Sequence, residues 1–194
     1  RQVTKYVNRF ESMFSEYTHG NEAIAVSNGT VALHLALAAL GIGQGDEVIA
    51  PDFTFAASIN AILHAGATPV LVDVDIETWT IEVGEIEKAL TNRTKAIMPV
   101  HLYGHPCDMD PIMKVARDYN LFVIEDCAEA VGSHYRDNHV GTFGDAASFS
   151  FYGNKTITDG SKEKIREIVR EEIARVVESL EEVNGSENSM ISKK

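Results

Sequence analysis

From Glu22 to Phe151 the chain repeats one unit: a short apolar run rich in valine and isoleucine, then a stretch with apolar residues at helical spacing. The strand-like runs lie at 23–27, 47–50, 69–73, 95–100, 121–125 and 146–151, and the helical patterns at about 30–40, 54–65, 84–90 and 109–119. Strands buried on both faces read as continuous apolar runs, and parallel neighbours need helical crossovers between them. The spacing therefore predicts an α/β domain of three layers, a mainly parallel sheet with helices on both faces. Gly41 and Gly66 stop the first two helices. With 194 residues, 44% of them apolar, one core of this kind can be filled.

Charge narrows the function classes. The net charge is −12, and no run of lysine and arginine alternates with aromatics, which argues against nucleic acid as a partner. No stretch approaches the roughly 18 consecutive apolar residues that suggest a membrane span. Two cysteines, Cys107 and Cys127, are too few for a disulfide framework and point to a reducing compartment, the cytoplasm. The amino terminus has neither an initiator methionine nor a signal-type apolar core, so the expectation is a chain that starts inside its gene product.

Beyond Gly160 the character changes. Residues 161–183 form a charged amphipathic pattern with Ile165, Ile168, Val169, Ile173, Val176, Val177 and Leu180 on one face and Ser161 as its cap, and 184–194 read as a frayed tail.

Three segments offer chemistry. In "AVSNGTVALHLALAALG" a strand ends at Ser27 and a helix begins near Thr30, so unpaired amides, Gly29 and the Thr30 hydroxyl make an anion site. The same residues also suit a plain cap and turn. In "LFVIEDCAEAVGS" a strand delivers Asp126 to its carboxyl end, where open α/β sheets bind ligands. Asp126 there can pair with a protonated pyridine nitrogen or cap the turn at Ala128 to Ala130, while Glu125 alternates to the other face and reads as structural. In "DAASFSFYGNKTITDG" a strand is followed by a turn presenting Lys155, either a nucleophilic amine or a solvated side chain, with Ser150 within reach of the anion site.

Three other features carry less. His101 and His105 suggest no zinc site, because Gly104 and Pro106 break any helix that would align them and no Cys or acidic pair completes a tetrahedral set. "GIGQGD" at 41–46 follows a helix and precedes a strand, the reverse of a dinucleotide loop, and is a turn. Asp73 and Asp75 end a strand in a solvated turn, with Trp79 nearby.

An anion turn, a strand-end acid and, 29 residues after the acid, a lysine occur in the order found in fold-type I pyridoxal enzymes. "SNGTVALHLAL", "DEVIAPDFTFAASINAI", "PVHLYGHPCDMDPIM", "VIEDCAEAVGS" and "SFSFYGNKTIT" resemble the DegT/DnrJ/EryC1/StrS sugar aminotransferases, over residues 1 to about 160. The closest likeness is to members that aminate 4-keto-6-deoxy sugars. The resemblance implies a fold-type I large domain, pyridoxal 5'-phosphate as cofactor, L-glutamate and a nucleotide-linked keto sugar as substrates, and a homodimer. It implies that Lys155 forms the Schiff base and Asp126 contacts the pyridine nitrogen. By the same likeness Gly29, Thr30 and Ser150 hold the phosphate, Phe55 stacks on the ring and Glu129 lies near the phenolic oxygen. Phe55 also suits a core position.

Such enzymes continue after the lysine loop with a Glu-Gly-Gly segment and a smaller domain. Here Gly160 runs into a helix that resembles their last one, so residues 1–160 are expected to be an incomplete large domain with a middle segment lost at Gly160–Ser161. The alternatives are a cofactor-binding domain without turnover and a sugar dehydratase, a class whose relatives carry His in place of the lysine.

Overall fold

The computed structural model describes residues 2–19, 22–152 and 155. The expected helix at 161–183, the tail and the Gly160–Ser161 junction lie outside them.

In chain order the elements are α1 (Gln2–Thr18), α2 (Gly29–Ala39), β1 (Glu47–Pro51), α3 (Ala56–His64), β2 (Thr68–Val72), α4 (Val83–Lys88), β3 (Thr94–Ile97), a short 3-10 turn (Leu102–Gly104), α5 (Met109–Tyr119), β4 (Phe122–Asp126), β5 (His134–Tyr135), β6 (Asn138–His139) and β7 (Ala146–Ser148). Five strands form one sheet in the order β2-β1-β3-β4-β7, with every pairing parallel. Strands β5 and β6 make a separate antiparallel pair.

Strand periodicity sorts the core into two sides. Val48, Ala50, Ala96, Met98 and Ile124 point to a cluster with Leu33 and Leu37 of α2 and Ala61 and Ile62 of α3. Their neighbours Ile49, Ile97 and Val123 point the other way, to Ile86 of α4 and Ile112, Val115 and Ala116 of α5. Alternate residues of a strand face opposite sides of the sheet, so a sheet covered on both sides needs apolar residues at every position. The three layers expected from the sequence are present.

The differences are local. Residues 23–27 form no strand; the Ala25 amide donates to Glu11 Oε1 at 2.7 Å instead of to a ladder. A strand needs a neighbouring edge, and among the described residues no strand pairs with this segment. The run expected at 146–151 is regular only to Ser148. Phe149 and Phe151 then pack edge-on against Phe14, and Phe151 also against Phe10, on α1, a helix the sequence reading left unassigned.

One glycine is fixed by close approach. A Cβ on Gly144 would lie 2.5 Å from the Val123 carbonyl oxygen, in the middle of β4. That oxygen accepts from the Asp145 amide at 2.8 Å, and the Val123 amide donates to Asp145 Oδ2 at 2.8 Å, so the strand cannot give way without losing both bonds. Gly144→Ala is expected to cost about 2–3 kcal/mol in denaturant unfolding, as an overpacked site does.

Candidate active site

The sheet order places the site. From β1 the chain steps outward to β2, then returns to the other side of β1 for β3, and open α/β sheets bind ligands outside the carboxyl ends of strands at such a reversal. The loops leaving those ends carry Phe55 after β1, Asp126 and Glu129 at and after β4, and Ser150 and Lys155 after β7.

Asp126, the last residue of β4, is buried and shares the side of the sheet that faces α3. Its Oδ2 accepts from Ser58 Oγ on α3 at 2.7 Å, and its Oδ1 from the Ala128 amide at 3.1 Å. The turn cap anticipated for this acid is therefore formed. Each carboxylate oxygen has two lone-pair directions, so one partner apiece leaves capacity for a further donor. Burial pushes the carboxyl up from its ordinary range, against the pull of Ser58, the Ala128 amide, His101 and Lys155. The folded protein thus holds this proton more tightly than the unfolded chain. Ionisation of Asp126 then costs stability as pH rises through the folded value, a penalty that a cation beside it would relieve.

Lys155 Nζ donates to Glu129 Oε1 at 3.0 Å, lies 5.3 Å from the Phe55 ring centre, and its side chain is only 12% exposed. The solvated alternative for this lysine does not hold. Phe55 is 69% exposed, which removes its reading as core. The other oxygen of Glu129 accepts from the Tyr103 amide at 3.0 Å, which fixes the carboxylate between two loops.

The turn before α2 is capped by Asn28, whose side chain accepts from the Val31 amide at 3.0 Å, leaving the Gly29 and Thr30 amides outside the helical ladder. A Cβ on Gly29 would sit 3.4 Å from Ser150 Cβ and 3.7 Å from Ser148 Oγ, and Ser148 Oγ donates to the Gly29 carbonyl at 3.1 Å. Gly29 and Ser150, far apart in sequence, are thus neighbours, with Thr30 half-buried beside them. These contacts join the start of α2 to the end of β7.

Glu125 is fully buried on the opposite side. Its carboxylate accepts from the amides of Gly141 (2.7 Å), Phe143 (2.8 Å) and Gly144 (2.8 Å) and lies 3.1 Å from His101 Nε2. Burial works to raise this carboxyl, but His101 and the Gly144 and Gly141 amides outweigh it and hold the group below its ordinary range. The sequence offered His101 no acidic or cysteine partner, yet His101, Glu125 and Cys127 lie together in the core. Their hydrogen bonds explain the cluster without a metal. His101 Nδ1 accepts from the Cys107 amide at 3.0 Å, which leaves Nε2 to carry the proton toward Glu125. Neither ring nitrogen then has a lone pair to give. Burial pushes the Cys107 thiol up to about 12 and the Cys127 thiol well above its ordinary value, away from the thiolate a metal requires.

Sequence reading missed Ser58, Ser148 and His101 as members of this region. Ser58 stands 68 positions from Asp126. Its signal was a small hydroxyl on an apolar helix face, three residues after Phe55. Ser148 shares its strand parity with Ser150.

The sequence profile of the DegT/DnrJ/EryC1/StrS aminotransferase family matches residues 1–161. GDP-perosamine synthase of Escherichia coli O157:H7 is 63% identical over 155 residues, 80% of this chain and 43% of the relative. The enzyme of the same name from Caulobacter vibrioides is 57% identical over 158 residues, 81% of this chain and 43% of the relative. Among solved structures, an aminotransferase from Psychrobacter cryohalolentis superposes with a TM-score of 0.77 at 49% identity, over 79% of this chain and 39% of that one. The pyridoxal-phosphate form of Spr1654 from Streptococcus pneumoniae, a putative sugar aminotransferase, gives 0.73 at 35% identity, over 77% and 42%. The chain spans about two fifths of the length of these relatives. On the match of its first 161 residues and these identities, the chain belongs to the DegT/DnrJ/EryC1/StrS aminotransferase family.

Proposed function

We propose that this chain carries the cofactor-binding half of an enzyme that uses pyridoxal 5'-phosphate to transfer an amino group from L-glutamate to a nucleotide-linked 4-keto-6-deoxy sugar, in the cytoplasm and as a homodimer. The observation that carries the reading is Lys155 Nζ held at 3.0 Å by Glu129 along the Phe55 ring, at the sheet edge where buried Asp126 ends β4. GDP-perosamine synthases among the relatives support the sugar class. Solved neighbours described with pyridoxal or pyridoxamine phosphate support the cofactor.

The residues fit the group. A buried carboxylate with one donor on each oxygen has capacity left to accept from a ring N–H⁺, whose charge offsets the cost of ionising it there, an exposed aromatic face can stack on a flat ring, and the Gly29 and Thr30 amides outside the helical ladder can donate to a phosphate. When bound, pyridoxal phosphate supplies an electron sink for the carbon that loses its proton. In this reading Gly29, Thr30 and Ser150 hold the phosphate, and Phe55 sets the plane. Asp126, aimed by Ser58, keeps a proton on the pyridine nitrogen. Glu129 sits at the phenolic side and orients Lys155, which holds the cofactor covalently and then, as a free amine, takes the proton from the donor's α-carbon.

The test follows the nitrogen. With pyridoxal phosphate, ¹⁵N-labelled L-glutamate and a nucleotide-linked 4-keto-6-deoxy sugar, mass spectrometry is expected to find ¹⁵N in the sugar. Label absent from the sugar while the cofactor stays bound would refute the transfer and leave a cofactor-binding domain without turnover.

A further inference from the structure

We infer that Phe53, Trp79 and Tyr103 form a stacking subsite for the base of the nucleotide, a purine or pyrimidine ring; this rests on the reading that the site takes a nucleotide-linked substrate. The three residues stand in the loops after β1, β2 and β3, on the same edge of the sheet as Asp126. Phe53 meets Trp79 edge-on at 6.0 Å, and Trp79 meets Tyr103 at 6.2 Å and 68°. All three remain exposed, at 48%, 49% and 70%. A continuous row of half-open aromatics is a binding feature rather than ordinary surface. In an edge-to-face pair only one ring contributes its face, so a flat ligand still finds faces to stack on.

Two of these rings are presented at a conformational cost. Trp79 and Tyr103 have φ of 58° and 50°, in the left-handed region that bulky side chains avoid. The surrounding loops hold them there. Asp75 Oδ1 accepts from the Glu77 and Thr78 amides at 2.9 and 2.8 Å, and the Asp75 carbonyl from the Trp79 amide at 2.8 Å. Tyr103 is tied through its amide to Glu129, and Ser133 Oγ donates to the next carbonyl, Gly104, at 2.8 Å. Strain held by surrounding structure clusters at ligand sites. Glu129 also holds Lys155, so one carboxylate links the backbone of Tyr103 to the amine.

Charge and chemistry select the base as occupant. Residues 51–79 and 100–106 contain no lysine or arginine, while Asp52, Asp73, Asp75 and Glu77 lie in the ring-bearing loops, which disfavours a diphosphate there. The sugar carbon must lie at Lys155. The relatives' names specify GDP, dTDP and UDP sugars, whose bases differ in their hydrogen-bonding edges but share a π-face. Stacking on an aromatic tolerates any base.

Trp79 is the single tryptophan, so its emission reports on this row directly. The full chain loaded with pyridoxal phosphate is titrated with GDP, with UDP, and with ribose 5-phosphate plus pyrophosphate, which carry no base. Saturable quenching by at least one nucleotide and none by the base-free mixture is the expected result. Phe53→Ala and Tyr103→Ala should each weaken nucleotide binding roughly tenfold, and Phe53→Ala should leave the visible cofactor band intact. For Trp79→Ala, equilibrium dialysis with labelled GDP or UDP should show the same loss. No saturable response to either nucleotide, an equal response to the base-free mixture, or an emission change that follows protein concentration alone overturns the subsite. If ¹⁵N transfer succeeds while nucleotides leave Trp79 untouched, only this inference fails; if no ¹⁵N reaches the sugar, the functional reading beneath it fails.

Discussion

Lys155→Ala is expected to abolish the visible absorption that pyridoxal phosphate gives with the wild-type chain, and to reduce amino transfer by roughly 10³-fold, within the range assigned to a positioned acid–base group. Borohydride should fix the cofactor of the wild type onto the peptide containing Lys155. The reason is geometric. The Lys155 amine is the one held at 3.0 Å by Glu129 and against the Phe55 ring, whereas Lys88 and Lys114 make exposed pairs with Glu85 and Asp118 on their own helices. The fold should survive, since Lys155 contributes a turn bond from its amide to the Tyr152 carbonyl at 2.9 Å, which alanine keeps. Borohydride labelling on a different lysine would sink the assignment.

Asp126→Asn is expected to slow the half-reaction with L-glutamate by roughly 10²-fold or more, which corresponds to losing a charged hydrogen bond of about 3 kcal/mol. A neutral amide cannot keep a proton on the pyridine nitrogen, so the carbon losing its proton is left without its sink. Stability should move the other way. Burial raises the Asp126 carboxyl, so the folded state gains a proton relative to the unfolded chain across the interval above the ordinary aspartate value of about 3.9. At neutral pH, above that ordinary value, keeping this carboxyl buried therefore costs stability. The Asn variant without added cofactor should therefore unfold at a higher temperature than the wild type at neutral pH, with the difference vanishing in acid. Unchanged turnover would remove Asp126 from the mechanism. Slower turnover with lower stability at every pH would reduce it to a structural residue.

The expected positions of the central strands and helices agree with the structure because the signals were local and redundant. Continuous apolar runs at 47–50, 95–100 and 121–125 are satisfied by burial between helices on both faces, whereas the run at 69–73 became the edge strand β2, where Leu71 stays 51% exposed. The run at 23–27 looked the same but forms no strand, because pairing is a property of a neighbour and not of the segment. Helix α1 went unassigned, and its Phe10 and Phe14 take their meaning from Phe149 and Phe151, more than 130 positions away.

The candidate site divides the same way. Sequence order alone gave the strand-end acid, the glycine turn and the lysine, because each residue type is tied to its own local turn. What the tertiary structure decided was their mutual distance: Ser58 on Asp126, Ser150 against Gly29, Glu129 and Phe55 around Lys155. It also decided the fate of His101, which sequence left without partners and folding placed between Glu125 and the Cys107 amide. Local sequence sets which backbone shape and which chemical group each turn presents. Distances between turns follow from the order and register of the sheet, which depend on every strand packing at once.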